Sequence, residues 1–199
     1  MLPKCLDRAK SVAAATGDRM GETSVLRDLG FLRLRQGRFD EAVEPLTRAL
    51  EVYQTLGLQD ATIAVLSRLG EVRRQQGDYD TAADLLEQAL EMLHGKGDVS
   101  EHALALKRLG MTRHAMGRLD DAASLLTESI TVSIGAGLRY AEANGRAAMA
   151  EVHCARGQRE PALNELRQAT ALYEELHAPE AAAARARVAT LSQTALAAS

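Results

Sequence analysis

Aromatic residues make up only 3% of this 199-residue chain, and tryptophan is absent. A sheet core leans on β-branched and aromatic side chains, so the scarcity of rings argues against β-structure. Proline occurs only 4 times, which leaves long stretches free to run as helix. No apolar run approaches the ~20 residues a membrane-spanning helix needs, and the opening MLPKCLDRAK reads as lacking the apolar stretch of a signal peptide. Cys5 and Cys154 stand far apart with no Cys-x-x-Cys, so they read as thiols of a cytoplasmic protein and not as a disulfide framework. A formal net charge of −3 argues against a generic nucleic-acid binder.

What is abundant points one way. Hydrophobic residues reach 46%, and alanine, leucine, arginine, glutamate and glutamine, the best helix formers, dominate. The expectation is an all-α chain. Within it a stretch recurs every 40 residues: QGRFDEAV at 36–43, QGDYDTAA at 76–83, MGRLDDAA at 116–123 and RGQREPAL at 156–163. A catalytic motif has no reason to be copied in this way, whereas a unit that stacks on copies of itself does.

Further columns align at the same period: Leu29-Gly30, Leu69-Gly70, Leu109-Gly110 and Met149-Ala150; Ala42, Ala82, Ala122 and Ala162; Leu46, Leu86, Leu126 and Leu166; Ala49, Ala89, Ser129 and Ala169. Each has a mechanical reading. The apolar spacing predicts a first helix, A, over about residues 22–36 of the first row. Gly30, Gly70 and Gly110 fall inside helix A, where glycine costs about 1 kcal/mol relative to alanine, so a second helix must pass too close for a side chain. Gly37, Gly77, Gly117 and Gly157 end helix A in the left-handed conformation. Asp40, Asp80 and Asp120 are expected to cap the second helix, B, with Pro161 opening its first turn in the fourth row. Gly57, Gly97 and Gly137 close three rows, and His177 takes that place in the last.

The pattern resembles the tetratricopeptide repeat, a helix–turn–helix unit of α-solenoids. The family's Leu-Gly of helix A, turn glycine, and alanine–large apolar–alanine of helix B match Leu29-Gly30, Gly37, Ala42, Leu46 and Ala49 and their equivalents. Its usual tryptophan is replaced by Leu26, Leu66 and Leu106, and its mid-helix aromatic by Arg33, Arg73 and Arg113. The resemblance implies a right-handed α-solenoid of antiparallel helix pairs, about ten helices in all. Four repeats are expected at 22–59, 60–99, 100–138 and 139–177. Residues 1–21 would be a partial repeat, the helix B of a truncated unit, and 178–199 a C-terminal capping helix. The start inside a helix B is read as that of a piece from a longer protein.

Helix A segments 22–36, 60–76, 100–116 and 139–156 carry a summed formal charge of +5, and helix B segments 40–56, 80–96, 120–135 and 160–176 carry −12. In the family, A helices line the concave face. By its groove positions the inward side chains would be Ser24, Arg27, Phe31 and Leu34; then Ala64, Ser67, Arg68, Glu71 and Arg74; then Leu104, Lys107, Arg108, Met111 and His114; then Asn144, Ala147, Glu151 and Cys154. A basic, partly apolar groove suits an acidic, partly apolar partner segment. The opposing reading makes these arginines a solvated face, with Arg33, Arg73 and Arg113 paired to acids on neighbouring helices.

Nothing catalytic stands out. GKG at 95–97 and GAG at 135–137 lack a full phosphate-loop fingerprint and fall at repeat boundaries. His114, His153 and Cys154 could approach one another across adjacent A helices, but packing or rim positions are the better account. No enzyme activity, cofactor, metal, membrane or direct nucleic-acid contact is expected. The resemblance extends to the C-terminal repeats of large bacterial transcription activators of the antibiotic-regulatory or maltose-regulator types. It implies a regulatory module that binds a protein segment or the upstream domains of its own chain. The alternatives are a small-molecule effector sensor, or a scaffold and assembly element.

Overall fold

The computed structural model describes residues 19–94 and 98–196. Among these the chain forms nine α-helices and no strand. They are α1 (Arg19–Arg35), α2 (Phe39–Thr55), α3 (Gln59–Gln75), α4 (Tyr79–Leu93), α5 (Val99–Ala115), α6 (Leu119–Gly135), α7 (Arg139–Ala155), α8 (Arg159–Glu175) and α9 (Glu180–Leu196). The partial repeat expected over 1–21 lies almost wholly outside the described residues, as does the 95–97 turn. The chain divides into two units, Met1–His94 and Gly95–Ser199. In the first, α1 packs on α2, α2 on α3 and α3 on α4; in the second, packing runs in the same order from α5 to α9. Helix pairs stacked in chain order make this an all-α solenoid.

Two local rules punctuate the helices. After α1, Gly37 adopts φ 71°, its N–H donates to the Leu34 carbonyl at 3.0 Å, and the Arg38 N–H donates to the Arg33 carbonyl at 2.9 Å. These bonds satisfy carbonyls the helix leaves open at its end. His177 takes the same left-handed conformation, φ 52°, at the place where the other rows have glycine. Inside the A helices the glycines answer a close approach. A Cβ on Gly70 would lie 2.6 Å from Leu86 Cγ, one on Gly110 2.9 Å from Leu126 Cγ, and one on Gly30 would collide with Leu46. The neighbour that forbids a side chain is the large apolar residue of the paired helix B.

The caps differ from expectation. Helices α2 and α6 begin at Phe39 and Leu119, one residue before Asp40 and Asp120, which therefore sit in the first turn. There they face the helix dipole and bind the next A helix: Gln76 Nε2 donates to Asp40 at 2.7 Å, and Arg156 Nη2 to Asp120 at 2.6 Å. True side-chain caps come from Asp78, which accepts from the Thr81 N–H, and Asp98, which accepts from the Glu101 N–H.

The core of the first unit joins Leu26, Ala42, Leu46, Ala49, Tyr53, Val65, Leu69 and Val72. Two clusters of the second unit are formed wholly by described residues. One is Ala122, Leu126, Ile130, Ala148, Met149 and Val152; the other is Ala143, Ala169, Leu172, Tyr173 and Ala184. Apart from Ala184 of α9, each of these residues comes from the apolar side of a helix A or helix B, so packing fixes which faces remain for other work.

Candidate functional site

In the first unit α1 and α3, both A helices, touch directly, and this brings predicted site residues together. Phe31 and Leu34 are half-buried and lie against the core. Arg68 of α3 places its Cζ 5.1 Å from the centre of the Phe31 ring, within range of a cation–π contact. Arg74 and Glu71 are locked together: Arg74 Nη2 donates to Glu71 Oε1 at 2.7 Å, and the Gln75 amide donates to the same carboxylate at 2.9 Å. Arg27 is held by Asp28, 2.7 Å away. Burial works against the Arg27 charge, but the hydrogen bond and charge of Asp28, with Tyr53 nearby, hold its pKa above the ordinary arginine value. Ser24 and Ala64 are half-buried, whereas Ser67 is wholly enclosed.

The second unit uses the corresponding positions differently. Arg108 is not presented to a partner. It is only 5% exposed, and its Nη1 stands 3.5 Å from Glu101 Oε1 on the same helix. The expectation of an inward-facing Arg108 gives way because a guanidinium this buried needs an internal counter-charge. Lys107, Met111 and His114 are half-buried, and Met111 packs against the Ala122–Leu126–Met149 cluster. Asn144 accepts from the Tyr173 hydroxyl at 2.9 Å and donates to the Tyr140 carbonyl. Ala147 packs on the Ala143–Tyr173 cluster. Leu104 is half-buried, and Cys154 keeps an exposed thiol. Glu151 receives Arg187 of α9 at 2.8 Å, a partner that sequence reasoning missed. Its only signal was position: Arg187 lies 36 residues beyond Glu151, the same step that separates Asp40 from Gln76 and Asp120 from Arg156.

Charge is therefore less segregated than the two helix totals suggest. Arg33 reaches Glu41 at 3.6 Å, Arg139 reaches Glu175 at 2.5 Å, and Arg156 reaches Asp120 at 2.6 Å, each joining a helix A to a helix B. Arg146 lies between Glu142 at 2.8 Å and Glu165 at 3.0 Å, all three side chains largely buried. Burial works against the Arg146 charge, but the hydrogen bonds and charges of these two carboxylates hold its pKa above the ordinary arginine value. Arg68 forms neither a hydrogen bond nor an ion pair among the described residues; its contact is with Phe31. No group of three or more histidine, cysteine, aspartate or glutamate residues suited to a metal occurs among the described residues. His153 instead shares a 2.8 Å hydrogen bond with Gln158. No helix of the described residues is long and apolar enough to cross a membrane.

Two models of the tetratricopeptide repeat match, one over residues 21–94 and one over 67–136, together more than half of the chain. The chain belongs to the tetratricopeptide repeat family. No curated protein matches it in sequence. Solved structures with tetratricopeptide-type stacking resemble it at low identity. BtubC from P. vanneervenii aligns with a TM-score of 0.77 at 17% identity, covering 97% of this chain and 81% of its own. The Rap conjugation gene regulator of plasmid pLS20, solved in complex with the Phr* peptide, aligns at 0.77 and 15% identity; 92% of this chain spans 51% of that one. A STAND-class signal-transduction ATPase with a tetratricopeptide repeat sensor, from Pyrococcus horikoshii, aligns at 0.71 and 15% identity, with 85% of this chain spanning 27% of that one. At these identities the likeness is one of fold.

Proposed function

We propose that this chain is a protein-interaction module whose first unit receives a segment of a partner protein on the face shared by α1 and α3. The observation that carries the reading is Arg68 stacked on Phe31 beside Leu34: two half-buried apolar side chains and a cation, set where the tetratricopeptide fold leaves its A helices without a covering layer. Apolar contact would supply affinity, and charge would supply steering and register. In the second unit Lys107, Met111 and His114 offer a weaker version of the same surface. The pLS20 regulator, a peptide complex on this fold, supports a segment as the ligand. The alternative source of the segment is in cis, from other domains of the same protein.

The finer reading is that the repeats form the C-terminal regulatory part of a larger bacterial transcription regulator, in which occupancy biases a nucleotide-binding switch. The STAND-class ATPase with its repeat sensor supports this arrangement by analogy of fold. An open reading frame that encodes these repeats with no switch or DNA-binding domain would remove it.

The binding reading has a direct test. A photo-crosslinking phenylalanine analogue placed at Leu34 should give a discrete adduct in cells that disappears with Arg68→Glu. The same analogue at the exposed Glu44 on α2 should give none. Equal adducts at both positions would refute a helix-A binding face.

A further inference from the structure

We infer that Arg68, held against Phe31, reads a side-chain carboxylate in the bound segment, so that the partner carries a glutamate or aspartate flanked by apolar residues. This rests on the segment-binding reading above. An arginine on a protein surface ordinarily costs little to leave in water, but one laid on an aromatic ring has given up part of its hydration and most of its rotamer freedom. Its Cζ stands over the Phe31 ring, 5.1 Å from the ring centre. The edge of the guanidinium, which carries the N–H donors, still lacks an acceptor among the described residues. That edge matches a carboxylate in a bidentate pair.

The acids nearby do not answer it. Glu71, one turn along α3, gives both oxygens to Arg74, which donates through Nε at 3.2 Å and through Nη2 at 2.7 Å. Asp28, on α1, holds Arg27. A cation preorganised in this way has a vacant place in its charge complement, and the missing member is an anion from outside. A side-chain carboxylate fits better than a chain terminus, because Leu34, one turn beyond Phe31 and packed on the same cluster, extends the apolar surface along α1 and gives the segment something to rest on as it continues.

The second unit acts as an internal comparison. The places equivalent to Phe31 and Arg68 hold Met111 and Ala148. Ala148 belongs to the buried cluster against which Met111 packs. The same fold geometry there carries no charge, so the Arg68–Phe31 pair is not demanded by helix stacking.

The test uses the full 199-residue chain and two fluorescein-labelled nonapeptide pools of mixed apolar residues, one with glutamate fixed at the centre and one with glutamine. Fluorescence anisotropy should show the glutamate pool binding about tenfold more tightly, the worth of one charge-assisted hydrogen-bonded pair. Arg68→Gln should abolish the preference, and Arg68→Lys, which keeps the charge but loses the planar fork, should restore only part of it. Equal binding of the two pools to the unaltered chain would overturn the carboxylate inference and leave segment binding intact; this comparison needs no variant to fold. A preference that survives Arg68→Gln would also overturn it. If neither pool bound, the segment-binding reading would fall and this inference with it.

Discussion

The two units are built to one pattern and finished differently. In the first, Phe31 meets Arg68 across α1 and α3; in the second, the equivalent Met111 and Ala148 close into an apolar contact. In the first, the hydroxyl of the buried Tyr53 lies beside Arg27 without a hydrogen bond of good geometry. In the second, the equivalent Tyr173 donates to Asn144. The second unit also ties charges of α7 into bonds of its own, Arg146 to Glu165 and Glu151 to Arg187. Stacking needs only the glycine, alanine and leucine columns. The remaining positions are free to be spent either on rigidity, as in the second unit, or on an unanswered cation, as in the first.

The largest expected effect breaks what the two units share. Leu46 and Leu126 are equivalent, fully enclosed, and set against Gly30 and Gly110. Leu46→Ala and Leu126→Ala should each destabilise by about 2–5 kcal/mol, because the paired helices cannot collapse fully into the space. Urea unfolding of each variant measures this. A loss below about 1 kcal/mol in either would mean that the close helix A–helix B contact does not hold the pair together.

The next effect erases the difference. A double variant, Phe31→Met with Arg68→Ala, gives the first unit the pair found in the second. It should lower affinity for the glutamate-centred pool about tenfold while leaving the urea midpoint close to that of the unaltered chain, since both side chains are only half-buried. Unchanged affinity would show that the pair has no part in binding.

The repeat columns, the turn glycines and the crowding at Gly30, Gly70 and Gly110 were all legible in the sequence, because each reflects backbone geometry repeated at a fixed period. The binding face was legible only in part. Arg68 and Arg108 stand 40 residues apart in the same helical phase and look identical as letters, yet one lies on a ring and the other is buried near Glu101. Asp40 and Asp120 likewise read as caps, but a helix that starts one residue earlier turns them into acceptors for Gln76 and Arg156. Side-chain pairing between helices depends on tertiary neighbours, which periodicity alone does not name.

A third test separates the units by pH. The Tyr140 phenol is held above its ordinary pKa first by its hydrogen bond to Glu180 and then by burial; Tyr173 is held higher by burial first and then by the charges of Glu180 and Tyr140. A phenol whose folded pKa exceeds the unfolded value keeps a proton that the unfolded chain releases. Its contribution is therefore complete below about pH 10 and is lost as pH rises through the folded values. The melting temperature should fall above about pH 10, and less steeply in Tyr173→Phe. Parallel declines in the two proteins would remove Tyr173 from the account.

The smallest effect makes the first unit resemble the second. Ser24 occupies the place of Asn144, 120 residues earlier, as Tyr53 occupies that of Tyr173. The serine is too short to do for Tyr53 what the amide oxygen does for Tyr173 across 2.9 Å, and a buried hydroxyl left without an acceptor carries a desolvation cost. Ser24→Asn should supply that acceptor and stabilise the chain by about 0.5–1.5 kcal/mol, seen as a higher urea midpoint at unchanged slope. Tyr53→Phe removes the hydroxyl instead and should cost little, whereas Tyr173→Phe at neutral pH should cost more, because it strands Asn144. If the two phenylalanine variants lost equal stability, the hydroxyl of Tyr53 would have a partner after all, and the contrast between the units would narrow to Phe31 and Arg68.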